Sequence, residues 1–267
     1  MTSLLAWIAY DSRRATALYL ASDSRQTFED GMFLDNCTKI YVAVAAQNQS
    51  EVFGFCGDVT FAQHALKAVC SAIERKDIPL SYREKAESRA SWIHYYINEQ
   101  LKNFSRPLID STTILHASRD SWGSRAKFYL HSYSGGKGAT ILKKKRESLT
   151  RRDLYVRNGT GHNQIFMKLL EVRSQVGDFS RAYLAAFFRS LNGANVDKNS
   201  GGPVQLAGIA TVGDARHYGI VSEGKPFFRG KKATKNLGKV QWFDTKMQRV
   251  NSDGSLLKSA KRHNWKE

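Results

Sequence analysis

The order in which strand-like and helix-like segments follow one another constrains the fold of this chain more than any other feature. Runs rich in Val, Ile, Tyr and Phe, the residues that strands favour, stand at both ends and in the middle of the chain. Between them lie two pairs of segments whose apolar residues recur at helical spacing. This order predicts a single α+β domain, a four-layer αββα sandwich with two sheets between two helical layers.

The predicted elements end at polar or glycine-containing segments, where turns are expected. Asp58 follows Gly57 and is the expected N-cap of the first helix. The predicted helices cover Phe61–Ile73, Ser81–Phe104, Ile165–Val172 and Phe179–Leu191. The predicted strands cover Leu4–Tyr10, a segment ending at Ala21, Ile40–Ala45, Val52–Cys56, Thr112–Ala117, Lys127–Tyr133, Leu154–Arg157, Gln205–Val212 and His217–Val221.

The charge of the chain is large and unevenly placed. The formal net charge is +17, and residues 224–267 hold 12 Lys or Arg against 3 Asp or Glu. A second basic run covers Lys143–Arg152. We therefore divide the chain into a domain of residues 1–222 and a basic extension of residues 223–267, within which Gly238–Asp244 could add a strand. Such an extension either solubilises the protein or binds nucleic acid or another acidic partner.

Composition excludes several classes of protein. No apolar run approaches the roughly 18 residues of a membrane helix. The start of the chain has no basic segment of the kind that opens a secretory signal. The three cysteines and the histidines have no metal-ligand spacing. We therefore expect a cytoplasmic protein that has no membrane segment, no disulfide framework and neither a metal nor a cofactor.

Two charged residues follow the second predicted strand in the segment "YLASDSRQT". Asp23 and Arg25 are separated by one residue, and residues two apart along an extended chain share a face. An acid and a base therefore point the same way at the edge of an apolar core. Such a pair either forms a structural ion network or orients a reactive group.

Several short segments resemble, in chain order, those of the proteasome β-subunit family. The family comprises N-terminal-nucleophile (Ntn) hydrolases with an αββα sandwich, and it includes bacterial peptidase subunits that work with unfoldase rings. The resemblance extends over about residues 2–222, although the hairpin before Asp23 is about five residues longer than the family pattern. The matching segments are "ASDSRQT", "NCTKIY", "GFCGD", "NGTGHN" and "DKNSGG".

The resemblance implies a role for each matching position. Thr2 would become the N-terminal nucleophile after removal of Met1, and Asp23 would orient the catalytic Lys39 with Arg25 as support. Gly54 would supply an oxyanion-hole amide. The resemblance also implies that Val52 lines the substrate pocket, and that the amine and hydroxyl of the nucleophile are ordered by Thr160, Asp197 and Ser200.

The chemistry of these residue types is consistent with that implication. A threonine hydroxyl is a weak nucleophile and needs a base beside it. A free α-amine, with an ordinary pKa of about 7.7–8.0, is near working pH and can take the proton. A lysine ammonium beside the hydroxyl would lower the pKa of that hydroxyl. Thr2 is a small residue that permits removal of Met1.

Three functions follow from the sequence. The first is a threonine protease that cleaves peptides or unfolded proteins as a homo-oligomer, with an ATP-dependent unfoldase as a partner. The second is an Ntn-type amidase that acts on a small amide with the same Thr2, Asp23 and Lys39. The third is a catalytically silent proteasome-like subunit that binds acidic partners through its basic extension.

Overall fold

The computed structural model has a mixed α+β fold with several sheets and five α-helices in its described part. Within that part, no helix is both long and apolar enough to cross a membrane. The side chains of residues 155–157 and 176 lie outside the description. The described residues are 2–11, 14–28, 30–46, 49–104, 109–136, 139–148, 155–176, 180–192, 196–233 and 237–260.

Three sheets contain the strands of the described residues. The five-stranded sheet has the order β5-β6-β7-β8-β9, and the small sheet pairs β3 with β4. The nine-stranded sheet has the order β10-β1-β2-β11-β12-β13-β14, and β15 and β16 join it through β12. The strands are β1 Leu4–Tyr10, β2 Ala15–Ser22, β3 Gln26–Thr27, β4 Phe33–Leu34, β5 Ile40–Ala46, β6 Gln49–Cys56, β7 Thr113–Asp120, β8 Lys127–Ser134, β9 Lys143–Glu147, β10 Tyr155–Asn158, β11 Gln205–Ala210, β12 Arg216–Ser222, β13 Lys225–Phe228, β14 Lys231–Lys232, β15 Trp242–Asp244 and β16 Arg249–Val250.

The helices lie between the predicted groups of strands. The Asp58 carboxylate caps α1 by accepting a hydrogen bond of 2.8 Å from the Phe61 amide, as the sequence predicts. The predicted helix Ser81–Phe104 is divided, because the chain leaves helical conformation at Lys85. The helices are α1 Val59–Glu74, α2 Leu80–Arg83, α3 Ala86–Leu101, α4 His162–Val176 and α5 Ser180–Leu191.

The core consists of three large apolar clusters. One cluster joins α4 and α5 to the nine-stranded sheet through residues such as Trp7, Tyr183 and Leu206. A second joins α1 and α3 to the five-stranded sheet. The third contains Leu4, Leu20 and side chains of β5–β8, so it joins the two large sheets to each other. The active-site candidates lie at one end of this third cluster.

The basic extension continues the nine-stranded sheet. The boundary predicted after residue 222 falls at Glu223 and Gly224, which form a tight turn with positive φ between β12 and β13. Beyond it, Trp242 of β15 pairs with β12, as the sequence suggested for this segment. Trp242 and Phe243 are both buried, and Phe243 contributes to the cluster of α4 and α5. The extension between residues 225 and 250 is thus packed against the domain, and whether the two folding units are separable remains a prediction.

Some predicted features lie outside the described residues. They are Met1, the start of the strand predicted at Leu154, the start of the helix predicted at Phe179, and residues 149–152 of the second basic run. The described part of that run, Lys143–Glu147, forms the edge strand β9.

Candidate active site

Three of the predicted site residues, Thr2, Asp23 and Lys39, meet in the interior. The Lys39 ammonium donates hydrogen bonds to Thr2 Oγ1 at 2.7 Å and to Asp23 Oδ1 at 3.0 Å. The side chains of Asp23 and Lys39 have no exposed surface, and Thr2 is 1% exposed. A buried ammonium is costly unless it is paired, and here a carboxylate and a reactive hydroxyl share it. The strands position two of these residues, because β2 ends just before Asp23 and β5 begins just after Lys39.

The Asp23 carboxylate is held by the backbone as well as by Lys39. It accepts hydrogen bonds from the amides of Ser3 at 3.0 Å, Arg25 at 3.1 Å and Gly201 at 3.0 Å. Burial raises the pKa of Asp23, whereas the Lys39 ammonium and the amides of Gly201 and Ser3 oppose that rise. These contacts fix the carboxylate in one orientation toward Lys39.

Gln205, at the start of β11, joins the segments that carry Asp23 and Lys39. Its side-chain oxygen accepts hydrogen bonds from the amides of Lys39 at 3.0 Å and Ile40 at 3.3 Å. Its side-chain NH2 group donates to the carbonyls of Asp23 at 3.1 Å and Cys37 at 2.8 Å. Gln205 is 1% exposed, so these are buried hydrogen bonds that set the distance between the two segments.

Arg25 braces the site through Asp35. Its guanidinium forms two hydrogen bonds of 2.8 Å with the Asp35 carboxylate and donates to the Lys198 carbonyl at 3.2 Å. Hydrogen bonding to Asp35 raises the pKa of Arg25. Gly201 permits this arrangement, because a Cβ atom there would lie 2.6 Å from the guanidinium carbon. Arg25 therefore fixes the loop that delivers the Gly201 amide to Asp23.

Thr160, Asp197 and Ser200 form one hydrogen-bonded chain that ends on Ser3. Thr160 Oγ1 donates to the Asp197 carboxylate, and Ser200 Oγ donates to the same carboxylate oxygen at 2.8 Å. Ser3 Oγ donates in turn to Ser200 Oγ at 2.8 Å. The described contacts therefore connect this series of hydrogen bonds to Ser3, one residue beyond Thr2, whereas the sequence implied contacts to Thr2 itself.

The start of the chain also lies close to Gly159. Gly159 has φ +88°, and a Cβ atom there would be 1.6 Å from the Thr2 carbonyl oxygen. Only glycine fits this position, because any side chain would collide with the Thr2 backbone. The "NGTGHN" segment therefore packs closely against the backbone of Thr2 at Gly159 and against the Ser3 side chain at Gly161.

Val52 and Gly54 lie elsewhere than the sequence implied. Val52 has no exposed surface and lies in the cluster between the two large sheets, so it offers no surface to a substrate. Gly54 lies inside β6, opposite Ile40 on one neighbouring strand and Leu115 on the other. Because the next amide, that of Phe55, donates to the Lys39 carbonyl, the Gly54 amide points away from Lys39 toward β7.

Gly57 is the second glycine of the segment "GFCGD" and a further candidate for the oxyanion-hole amide. It follows β6, lies beyond the last ladder pair at Cys56, and has φ +105°.

Sequence reasoning missed four supports of the site: Ser3, Asp35, Gly201 and Gln205. A polar Gln205 at the head of the apolar run 204–210 was a usable signal. Asp35 carried no comparable signal, because its pairing with Arg25 depends on the turn of the β3–β4 hairpin. Within the described ranges, no group of three or more His, Cys, Asp or Glu side chains is arranged to hold a metal ion.

The chain was compared with known proteins. No family model matches it, and no curated protein sequence matches it. The solved structures similar to it include the Anbu Gly-1 mutant from Hyphomicrobium sp. strain MC1, with 14% identity, a TM-score of 0.57, and coverage of 81% of this chain and 87% of that chain. They also include the helical assembly of the Anbu complex from Pseudomonas aeruginosa, with 13% identity, a TM-score of 0.55, and coverage of 83% of this chain and 87% of that chain. At such low identity the likeness shows that the chain shares the fold of these two structures and shows nothing about its role.

Proposed function

We propose that this chain is a threonine-type peptidase that uses Thr2 as its nucleophile after Met1 is removed. One observation carries the proposal: a fully buried lysine, paired with a fully buried aspartate, donates a hydrogen bond of 2.7 Å to the hydroxyl of the second residue of the chain. Removal of Met1 would free the α-amine of Thr2. This amine and the buried Lys39–Asp23 ion pair would then both lie beside the Thr2 hydroxyl.

The proposed reaction uses groups of this chain alone. The Thr2 hydroxyl attacks the carbonyl carbon of the scissile amide, and its proton passes to the α-amine. The Lys39 ammonium stabilises the developing charge on Thr2 Oγ1, and the Gly57 amide stabilises the oxyanion. The C–N bond then breaks, the α-amine returns the proton to the leaving amine, and an ester on Thr2 remains. Water hydrolyses that ester and regenerates the hydroxyl.

The finer architecture and assembly are part of the proposal. The three apolar clusters support a four-layer αββα sandwich, because they lie between helices and sheet, between the two large sheets, and between sheet and helices. The helical assembly of the Pseudomonas Anbu complex supports a homo-oligomer. A cytoplasmic location, peptide or unfolded-protein substrates and an ATP-dependent unfoldase partner belong to the same proposal.

Hydrolysis of fluorogenic peptides by the purified protein and two variants tests the function. Thr2→Ala is expected to abolish turnover, and Thr2→Ser, which keeps a hydroxyl, is expected to retain part of it. Thr2→Ser should melt near the parent. Thr2→Ala also loses the buried hydrogen bond from Lys39 and should melt somewhat lower, so turnover is compared on folded protein. Full activity in Thr2→Ala would place the nucleophile elsewhere.

The two alternatives predict different results in the same assay. An Ntn-type amidase would hydrolyse small amides and leave peptides intact, with the same dependence on Thr2. A silent proteasome-like subunit would hydrolyse neither. The geometry of Thr2, Lys39 and Asp23 favours an enzyme over a silent subunit, because a structural ion pair does not need the hydroxyl.

A further inference from the structure

A second site is formed where the extension joins the nine-stranded sheet, and we propose that it binds the phosphate backbone of a nucleic acid. It is an open cleft with an empty volume of about 960 Å³ between the start of β12 and the segments around β15 and β16. Three basic side chains line it: Arg216, Lys239 and Arg249. This cleft is unrelated to the Thr2 site, and the inference does not rest on the proposed peptidase activity.

The cleft has a firm floor. Trp242 and Val250 line it and are 5% and 2% exposed, respectively. Trp242 packs on Gly219, where a Cβ atom would lie 2.1 Å from its ring. Residues 249–257 form a closed turn, in which the Asn251 amide donates to the Ser255 carbonyl and the Leu257 amide donates to the Arg249 carbonyl. The basic side chains therefore project from ordered strands and turns.

The three basic side chains have no acidic partner among the described residues. No Asp or Glu lines the cleft, and none of the three cations forms an ion pair within those residues. The acidic residues nearest to Lys239 and Arg249 in sequence accept local hydrogen bonds: Asp244 from the Lys246 and Gln248 amides, and Asp253 from the Ser255 amide and hydroxyl. Asp214, two residues before Arg216, is not among the residues that line the cleft. By contrast, Lys102, Lys144, Lys145 and Lys168 of the domain each pair with a glutamate.

A nucleic-acid backbone fits these features better than an acidic protein does. Protein interfaces obtain most of their affinity from exposed aromatic or apolar anchors, and the aromatic ring of this cleft is already buried. Polyphosphate backbones need only cations, and the two arginines can each form two hydrogen bonds with one phosphate. Two amide side chains, Gln241 and Asn251, also line the cleft, and the Asn251 side-chain amide already donates to Ser255 Oγ at 2.8 Å. The proposed contacts are to phosphates, so binding should depend little on nucleotide sequence.

The test measures binding of a fluorescein-labelled 20-nucleotide oligo(dT) to the full chain by fluorescence anisotropy over a range of salt concentrations. The triple variant Arg216→Gln, Lys239→Gln, Arg249→Gln should bind at least about tenfold more weakly at low salt. The slope of log affinity against log salt should become less negative by about 2, since each single-strand phosphate contact contributes about 0.7. A control with the same change in charge replaces three exposed residues elsewhere, Lys67→Gln, Arg125→Gln and Lys127→Gln.

The control variant should bind within about twofold of the parent. Equal losses in the two triple variants would show that net charge alone attracts the oligonucleotide and would overturn the site. Stronger displacement by polyglutamate than by unlabelled oligo(dT), at equal charge, would assign the cleft to an acidic protein and would also overturn the proposal. If the triple variant does not fold, Lys239→Gln alone, at an exposed position, must change the slope by about 0.7.

Discussion

Two buried networks of charged side chains in this molecule contain similar residue types but differ in the group at which each network ends. In the first, Lys39 pairs with Asp23 and ends on the hydroxyl of Thr2. In the second, Arg89 of α3 pairs with Glu51 of β6 at 2.5 Å, and His116 of β7 contacts the same carboxylate at 2.8 Å. All five charged or titratable side chains are buried.

The remaining contacts of the second network are structural. The Arg89 guanidinium also donates to the backbone carbonyls of Arg83 and Arg119, both at 2.9 Å, and so ties α2 and β7 together. Burial raises the pKa of Glu51, but Arg89 and His116 outweigh it and lower the pKa below its ordinary value. Burial and ion pairing are therefore common to both networks, and the catalytic role proposed for the first rests on the hydroxyl at its end.

Replacing Lys39 and replacing Arg89 should affect different properties: the first should lower activity, and the second should lower stability. Lys39→Met removes the ammonium beside Thr2 Oγ1, and kcat/KM for peptide hydrolysis should fall by about 10²–10⁴-fold. The fold should remain, because the isolated Asp23 can take up a proton in place of its lost partner. Steady-state kinetics on folded protein, verified by circular dichroism, measure the effect. A kcat/KM within threefold of the parent would remove Lys39 from the mechanism.

Arg89→Met should act on stability instead. Breaking a buried ion pair leaves Glu51 uncompensated, and the free energy of unfolding should fall by about 3–5 kcal/mol. Urea denaturation measures this loss, and kcat/KM per folded molecule should stay within about twofold of the parent, since Arg89 does not contact the site. A large loss of kcat at unchanged stability would mean that the two networks are coupled.

A Gln205→Met variant tests the same distinction between a structural and a catalytic role. Gln205 forms hydrogen bonds to backbone groups, and these groups belong to the segments that carry Asp23 and Lys39. Its loss frees the Asp23 and Lys39 segments from each other, and kcat should fall by about 10–100-fold while KM is nearly unchanged. Stability should fall by about 1–3 kcal/mol. Arg89→Met is the matched control, since it loses more stability and no kcat. If Gln205→Met loses stability and keeps the kcat of the parent, the role of Gln205 is only structural.

The smallest effect concerns pH and the buried His131, which neighbours His116 and contacts Glu87. Burial, aided by His116, lowers the pKa of His131 to about 4, below the ordinary value of 6.5. The unfolded chain therefore binds a proton between these values that the folded chain does not, and stability is lost as pH falls from 6.5 toward 4. We expect urea denaturation to show about 1–2 kcal/mol less stability at pH 5 than at pH 7.

His131→Gln is the control for this pH effect. It should reduce the dependence between pH 5 and pH 7 by about half, because burial also lowers the pKa of His217, to about 3. Hydrogen bonding to Lys144 lowers the pKa of Glu87 to about 2, so Glu87 contributes mainly below pH 4.5. An unchanged slope in His131→Gln would assign the pH dependence to other groups.

The sequence predicted those parts of the fold and the site that depend on local pattern. The alternation of strands and helices follows from periodicity. The resemblance to a known family, and not the periodicity, suggested Thr2, Asp23 and Lys39, which stand beside the ends of predicted strands. The Glu51–Arg89–His116 network was not predicted, because its members lie on three separate elements and only packing brings them together. Val52 was misplaced for a related reason: both faces of β6 are buried, so alternation along the strand does not show which face meets a substrate.

The basic extension shows most clearly how a high density of charged residues can make buried apolar residues hard to recognise in a sequence. Its density of Lys and Arg favoured a solvated tail, yet Trp242, Phe243 and Val250 are buried while the charges face outward. A Cβ atom at Gly230 would lie 3.1 Å from the Gln205 side chain, so the extension also covers the back of the candidate site. Removal of residues 223–267 is therefore expected to weaken both the sheet and the proposed active site.

Intact mass spectrometry with a peptide epoxyketone tests the central claim most directly, because this electrophile bonds to both the hydroxyl and the free amine of an N-terminal threonine. The expected product is a chain without Met1 that carries one probe, located at Thr2 by peptide mapping and formed much more slowly in Lys39→Met. Arg89→Met, once folded, should react at the rate of the parent. A chain that keeps Met1, or that carries no probe after prolonged exposure, would contradict the assignment of Thr2 as the nucleophile.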